Sequence, residues 1–142
     1  MKKTIITWII ILAVVFTAVC TVQILRGRWI LPAMVEQVVF HGYSSCDAPT
    51  PKNIELTEDE ARQLVTYFSL AAYAGTVNAQ GCPSDYGFTI YLSDGTIISA
   101  REANSPRIEV NPPQGDMYWL RSEKLNSFAK EVVEKYGLEV RP

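Results

Sequence analysis

His41 is the only histidine in the chain, and Ser44, Ser45 and Cys46 follow it within five residues. A Ser–His or Cys–His pair performs acyl transfer when the imidazole takes the nucleophile's proton and a third group orients the imidazole. A nucleophile and a base this close along one strand and loop rarely form such a triad, and the sequence offers no evident third group. A single histidine also excludes a zinc site built from several. We therefore expect His41 to be a structural residue near the end of a strand.

Two further patterns contain side chains that some enzymes use. Ser127–Lys130 has the Ser-x-x-Lys spacing of penicillin-binding enzymes, but the Lys-Thr-Gly box that accompanies it there is absent. Fifteen carboxylates permit an acid–base pair, yet the sequence singles out none, and those of Glu58–Glu60 are explained by helix capping. A glycine-rich phosphate loop and an EF-hand are also missing from the sequence. The sequence thus predicts a protein that is not an enzyme and needs no cofactor or metal.

The three cysteines fall into two groups by their surroundings. Cys20 lies in an apolar run, whereas Cys46 and Cys82 lie in the polar stretches SSCDAP and AQGCPSD. Two loop cysteines in a small domain behind an export segment favour one disulfide. Closing its loop of about 37 residues would stabilise the fold by roughly 3–4 kcal/mol. The alternative is a pair of free thiols in a cytosolic domain.

The apolar run from Ile5 to Leu25 contains no Asp, Glu, Lys or Arg. As a helix, about 21 residues span roughly 30 Å, the thickness of the hydrocarbon core of a bilayer. We predict an uncleaved anchor over residues 1–28 that crosses the cell membrane once. A signal peptide cut at Ala18–Cys20, which would leave a secreted protein, and a lipoprotein acylated at Cys20 are the alternatives. The residues expected at the membrane interface are Lys2, Lys3, Arg26, Arg28 and Trp29.

Positive charges on the two sides of this run nearly balance, so the cysteines decide the orientation. A disulfide needs an oxidising compartment, which places the C-terminal domain outside the cytoplasm. After residue 28 the chain has nine basic and 15 acidic residues, a net charge of −6. This excess argues against nucleic acid and against an anionic membrane surface as the main ligand of the domain. A linker over 29–37 and one domain over 38–142 complete the predicted organisation.

Two stretches of the domain predict amphipathic helices. Thr57–Glu60 is a capping box, and apolar residues recur after it at helical spacing up to Gly75, the expected C-terminal glycine. Ser122 is placed to cap the second helix. Gly137 should end that helix, with Leu138 packing back in a Schellman-type cap.

Residues 86–101 predict a β-hairpin around the turn Ser93-Asp94-Gly95. A three-residue loop keeps one face of the hairpin apolar, whereas a two-residue turn would not. In that register the facing pairs are Phe88 and Ala100, Ile90 and Ile98, and Leu92 and Thr96. Further short strands are expected at 38–40, 107–110 and 117–120. The elements predict an α+β domain in which about four to five antiparallel strands carry both helices on one face.

An aromatic surface is the predicted partner site. Tyrosine is the most frequent aromatic residue, with seven copies. Tyr91, Ile97, Tyr118 and Trp119 could lie together on the sheet face away from the helices. An exposed aromatic face of this kind would bind a partner, unless loops or a second copy of the chain cover it.

The chain has MKK before one apolar span, then FTIYLSDGTI and YWLRSEKLNSFAKEVVEKYG. In this layout it resembles small membrane-anchored extracytoplasmic proteins of Gram-positive bacteria, a resemblance of architecture that carries over no functional residue. We expect a membrane-tethered, non-enzymatic module that binds a protein or a cell-envelope component. One alternative is an immunity or inhibitor protein that acts on an external toxin or enzyme. The other is a small envelope hydrolase that uses scattered carboxylates.

Overall fold

The computed structural model describes residues 2–25, 27–42, 52–77, 86–103 and 106–138. Within these ranges the chain forms three α-helices and seven strands, so the fold is α+β as the sequence predicts. The elements are α1 (Lys2–Leu25), a 3₁₀ turn (Pro32–Met34), β1 (Val35–Gly42), β2 (Lys52–Glu55), α2 (Glu58–Ser69), β3 (Ala72–Thr76), β4 (Tyr86–Leu92), β5 (Ile97–Glu102), β6 (Arg107–Asn111), β7 (Tyr118–Arg121) and α3 (Glu123–Lys135).

The seven strands form one antiparallel sheet in the order β2-β1-β4-β5-β6-β7-β3. The prediction of four to five strands falls short because it missed the two edge strands, β2 and β3. Their sequences are KNIE and AYAGT, and neither strand has a buried residue. A strand without a buried face shows no apolar alternation in its sequence. Backbone pairing with β1 and β7 creates these two strands.

The hairpin of β4 and β5 has the predicted register. Phe88 faces Ala100 and Ile90 faces Ile98. Gly95 has a φ of 82°, and its amide donates to the carbonyl of Leu92 at 2.9 Å. A glycine in the left-handed region closes the three-residue loop, which keeps the apolar side chains on one face.

Both predicted helix starts are confirmed. Thr57 Oγ1 accepts the Glu60 amide at 3.4 Å, and a Glu60 carboxylate oxygen accepts the Thr57 amide at 3.0 Å. These two bonds complete the capping box in front of α2. Ser122 Oγ accepts the Leu125 amide at 3.1 Å in front of α3. Local side-chain chemistry therefore sets where each helix begins.

The C-terminal ends of the two helices match the sequence unequally. Gly137, with a φ of 59°, follows α3, and the Leu138 amide donates to the Val133 carbonyl at 2.9 Å in a Schellman cap. By contrast, α2 ends at Ser69, and Gly75, which was expected to end it, lies in β3. Pairing with β7 takes over the chain before that glycine is reached.

Helices α2 and α3 pack on the same face of the sheet. Phe68 of α2 meets the ring of Phe88 edge-on, with centroids 5.9 Å apart. Asn126 Oδ1 of α3 accepts a hydrogen bond of 3.1 Å from the hydroxyl of Tyr86. Because Tyr86 and Phe88 lie on one side of β4, the two helices bury the same side of the sheet. We call it the helix-covered face, and the opposite side, which carries Thr89, the outer face.

Helix α1 is long and apolar enough to cross a membrane between Lys3 and Ile24, and none of that span is buried in the protein. Membrane anchors and N-terminal signal sequences share this length and composition. The helix ends in a Schellman cap, in which Gly27 has a φ of 64° and the Arg28 amide donates to the Gln23 carbonyl at 2.9 Å. The core of the domain begins only three residues beyond Gly27, because Ile30 is already buried.

Candidate binding site on the outer face

The outer face of the sheet is polar at its centre. One row across six strands holds Asn53, His41, Gly87, Arg101, Glu109 and Trp119. The next row holds Glu55, Val39, Thr89, Ser99 and Asn111. Side chains alternate between the faces of a sheet, so both rows project away from α2 and α3. Strand pairing thus gathers polar residues that are far apart in the sequence.

A cavity of about 260 Å³ opens at the centre of these rows. Its polar lining consists of His41, Thr89, Ser99, Arg101, Glu109 and Asn111. Gly87 stands between His41 and Arg101 in the first row. Because glycine has no side chain, no side chain stands between these two long polar residues in the row.

Arg101 and Glu109 form an ion pair in the cavity wall. Nε and Nη2 of Arg101 both contact the same oxygen, Glu109 Oε1, at 2.9 and 2.6 Å. The Glu109 side chain is 1% exposed and that of Arg101 is 25% exposed. Within the described part of the chain, no hydrogen-bond donor reaches the other oxygen, Glu109 Oε2. A buried acceptor without a partner costs roughly 1–3 kcal/mol, and more when it is charged, so a donor supplied to Oε2 would be stabilising.

His41 is held at both ring nitrogens. Nδ1 lies 2.7 Å from Asn53 Oδ1, and Nε2 lies 3.0 Å from Thr89 Oγ1. A carbonyl oxygen only accepts, so in the neutral imidazole Nδ1 donates to Asn53 and Nε2 accepts from the Thr89 hydroxyl. Ser99 Oγ, 3.5 Å from Thr89 Oγ1, extends this chain of polar groups across the cavity. The structure therefore supplies an orienting group, Asn53, that was not evident in the sequence.

Thr89, His41 and Asn53 have the order of a nucleophile, a base and an orienting residue. Thr89 nevertheless lies in the middle of β4, which pairs with β1 on one side and β5 on the other. The amides of β4 are engaged in the sheet and cannot form an oxyanion hole beside this hydroxyl. In the described ranges, no group of three His, Cys, Asp or Glu side chains could hold a metal ion. The arrangement suits hydrogen bonding to a ligand better than acyl transfer.

The structure brings three of the four predicted surface residues to the outer face. Tyr91 and Ile97 lie opposite each other in β4 and β5, and Ile97 is 51% exposed. Trp119 faces Glu109 across β6 and β7 and is half-buried. Tyr118 instead lies on the helix-covered face and is 5% exposed. Burial raises the pKa of the Tyr118 hydroxyl, and the guanidinium of Arg28 lowers it in part.

Sequence reasoning did not single out Arg101 and Glu109, although two signals point to them. The predicted hairpin register already places Arg101 on the same face as Thr89. The alternation Ile108-Glu109-Val110 puts a charge between two apolar residues that are fully buried. A charged residue in the middle of an interior strand indicates a partner across the sheet.

The predicted membrane-interface and disulfide residues are described only in part. Lys3 is exposed near the start of α1, and Trp29 is 42% exposed just beyond its end. The guanidinium carbon of Arg28 lies 5.1 Å above the ring of Tyr73, in the range of a cation–π contact. Lys2 belongs to α1. The described residues do not include Arg26, Cys46 and Cys82, nor the side chain of Lys2.

These placements define a polar cavity on the outer face, with a buried ion pair and a bridged histidine in its wall. Comparison with known proteins adds no function to this geometry. No protein-family model, no curated protein and no solved structure matches the chain.

Proposed function

We propose that the chain is a membrane-tethered, non-enzymatic module that binds a protein or a cell-envelope component outside the cytoplasm. The observation that carries the proposal is the cavity of the outer face with the Arg101–Glu109 pair in its wall. A sheet that needed only stability would keep a charge out of this position, because a buried pair seldom stabilises more than apolar residues do. Glu109 Oε2 is itself buried, so a ligand with an N–H or O–H group would give it the donor it lacks by displacing a neighbouring side chain of the cavity wall.

Residues around the cavity extend this binding surface. Tyr91 and Ile97 lie in the row beyond Thr89 and Ser99, and Trp119 lies beside Glu109. Aromatic residues next to well-placed polar groups are common in binding surfaces, because they contribute apolar area at a low cost in entropy. The proposed contact surface is therefore the cavity together with these three side chains.

The spacing of two cysteines supports the proposed location outside the cytoplasm. Gly42 of β1 and Tyr86 of β4 face each other in the sheet. Cys46 follows Gly42 by four residues, and Cys82 precedes Tyr86 by four. Each four-residue segment reaches at most roughly 13 Å. Because the two segments are equally long and start at facing residues, their ends can meet. The Cα atoms of a disulfide lie about 4.4–6.8 Å apart, and the ends can approach to that distance. A disulfide in turn requires an oxidising compartment.

Photo-crosslinking in living cells tests the binding surface. The full chain carries p-benzoylphenylalanine either at Ile97 on the outer face or at Glu134, an exposed position of α3. We expect a discrete adduct from position 97 alone. The adduct should weaken severalfold with Glu109→Gln, because an NH₂ donor then replaces one of the two acceptor oxygens. It should persist with Glu55→Gln, which makes the same change on the exposed edge strand β2. An adduct from position 97 that is no stronger than that from 134 would remove the outer face as the binding surface.

Thiol labelling in intact cells tests the location. A membrane-impermeant maleimide should label Cys46 and Cys82 only after a reductant has been added. Labelling that requires permeabilised cells and no reductant would place the domain in the cytoplasm, and mass spectrometry of the same sample reports whether α1 has been cleaved.

A hydrolase is the second candidate, and the Thr89–His41–Asn53 arrangement is the observation that favours it. Such an enzyme would use Thr89 Oγ1 as the nucleophile and His41 as its base. We expect the full chain in detergent micelles not to hydrolyse p-nitrophenyl acetate above the buffer rate. Hydrolysis that is lost in both Thr89→Val and His41→Ala would establish an enzyme and contradict the binding module.

A further inference from the structure

Exposed apolar side chains gather where α1 enters the domain. Beyond α1, the described residues include five exposed large hydrophobic side chains: Trp29, Leu31, Leu70, Tyr73 and Ile97. Trp29 and Leu31 follow α1 directly. The Ile30 amide between them donates to Ser69 Oγ at 3.1 Å, which holds the corner containing Leu70 against this segment. The Arg28–Tyr73 contact holds the start of β3 beside the same segment.

Little chain separates this cluster from the apolar span. The span ends at Leu25, and Gly27 is already packed against the domain. A Cβ atom at Gly27 would lie 3.0 Å from Ile98 Cδ1 and 3.1 Å from Pro113 Cδ, and the φ of 64° also favours glycine. The domain therefore cannot move away from the end of α1 on a free linker. On each side of the hydrocarbon core, the interfacial layer of a bilayer is roughly 5–8 Å thick, so a domain joined this closely reaches into that layer.

We propose that a membrane-facing rim, formed by Trp29, Leu31, Leu70 and Tyr73, lies in the interfacial layer of the bilayer. The inference rests on α1 being an uncleaved anchor, as proposed above. Tryptophan and tyrosine favour this layer because an apolar ring and a polar group are solvated there together. The rim binds neutral lipid through apolar contact, so the net negative charge of the domain does not oppose it.

The rim adds a second contact between the domain and the bilayer. Leu70 belongs to the corner between α2 and β3, which is distant in sequence from α1 but packs beside its end. A domain that touches the bilayer at two places cannot rotate freely about its anchor. The outer face would consequently keep one orientation relative to the membrane, which limits the partners that can reach its cavity.

Nitroxide labels on the full chain in phosphatidylcholine nanodiscs test the rim. In a Cys20→Ser background, which keeps Cys46 and Cys82 in their proposed disulfide, one added cysteine replaces Leu70 in the rim, Asp59 at the other end of α2, or Phe16 within α1. Asp59 is a matched control because it is exposed on the same helix, about 16 Å along its axis from Leu70 at 1.5 Å per residue. Power saturation compares the accessibility of each label to oxygen, which concentrates in lipid, with its accessibility to a nickel chelate, which stays in water. The unsubstituted Cys20→Ser chain gives the background signal.

We expect an oxygen-to-nickel ratio at position 70 that is severalfold above that at position 59, and a higher ratio still at position 16. A high oxygen-to-nickel ratio at position 16, typical of lipid, together with equal ratios at positions 70 and 59, would overturn the rim and leave the anchor intact. A low oxygen-to-nickel ratio at position 16, typical of water, would contradict both the anchor and the rim. A label at 70 that neither reagent reaches, with spin–spin broadening between copies, would overturn the lipid contact in favour of a second copy of the chain.

Discussion

The two faces of the sheet differ in what their buried residues contact. On the helix-covered face, Phe88 and Ile108 are fully buried in the hydrophobic core, and the one carboxylate that the described strands bury there, Glu102 at 4% exposure, lies opposite Ile108 near the end of β5. On the outer face, Glu109 is almost equally buried, at 1% exposure, although it is charged and adjacent to Ile108 in the same strand. Equal burial thus has two different causes. The apolar residues are buried because leaving water is favourable, whereas Glu109 is buried because Arg101 accompanies it.

This difference is the reason for proposing the outer face as the binding surface. Apolar residues of the helix-covered face are explained by the stability they contribute. The Arg101–Glu109 pair and the bridged His41 are not explained in this way, because apolar residues of similar volume would stabilise the sheet at least as well. Positions where chemistry departs from what folding alone needs are the places where a function is expected.

The largest expected difference in stability is between substitutions of two neighbouring residues that lie on opposite faces of β4. Phe88→Ala should lower the free energy of unfolding by about 3–5 kcal/mol, because it leaves a cavity under α2. Thr89→Ala, one residue later on the outer face, should cost less than about 1 kcal/mol, the net value of a typical hydrogen bond. Urea unfolding of the full chain in detergent micelles measures both. Equal costs would mean that the two faces contribute equally to stability.

Tyr118 and Trp119 provide a second adjacent pair, in β7. Tyr118→Ala should cost about 3 kcal/mol, because the ring is buried on the helix-covered face. Trp119→Ala should cost less and should weaken the crosslink from position 97 on the outer face. The same urea series and the crosslinking assay report the two effects. A crosslink that is weakened only by Tyr118→Ala would reverse the assignment of the faces.

The ion pair tests the outer face directly. Arg101→Met should lower the free energy of unfolding by about 2–3 kcal/mol, because it leaves Glu109 charged and buried. Breaking a fully buried ion pair costs roughly 3–5 kcal/mol, and the expected loss is smaller here because the Arg101 side chain is 25% exposed. Adding Glu109→Leu should restore most of this loss, because no charge then remains to be buried. A double variant no more stable than Arg101→Met would show that the pair is needed for the fold itself, and would weaken the case for a functional role.

The sequence predicts best what depends on local chemistry. Thr57 and Ser122 cap their helices as expected, and Gly137 ends α3, because each effect involves residues only a few positions apart. The hairpin register also follows from local alternation around Gly95. These features require no knowledge of the rest of the chain.

The sequence predicts poorly what depends on distant partners. The edge strands β2 and β3 exist because β1 and β7 offer them backbone groups, and Gly75 failed to end α2 for the same reason. The cavity combines His41, Thr89 and Glu109 from β1, β4 and β6, which come together only in the folded sheet. Tyr118 and Trp119 could not be divided between the faces until the register of β7 was known.

The smallest effect concerns Glu60, which joins the ends of α2 and α3 on the helix-covered side. Its carboxylate contacts Lys135 Nζ at 2.6 Å and the Tyr136 hydroxyl at 2.8 Å, in addition to capping α2 at Thr57. Glu60→Gln should therefore cost about 1–2 kcal/mol at neutral pH, the range of a lost cap. Glu58→Gln, a neighbouring carboxylate that is 87% exposed, should change the stability very little.

The dependence on pH separates this charged contact from a purely apolar one. Partial burial by itself raises the pKa of Glu60, but hydrogen bonds from Lys135, Thr57 and Tyr136 outweigh it and lower the pKa from 4.5 to about 2. The stabilisation is therefore complete above pH 4.5 or so and is lost as the pH falls toward about 2, because the unfolded chain binds the proton first. We expect the gap in urea midpoint between the wild type and Glu60→Gln to narrow over that interval. The loss caused by Phe88→Ala contains no such ionisation, so a gap that narrowed equally for both variants would show that acid weakens the whole core and not this one contact.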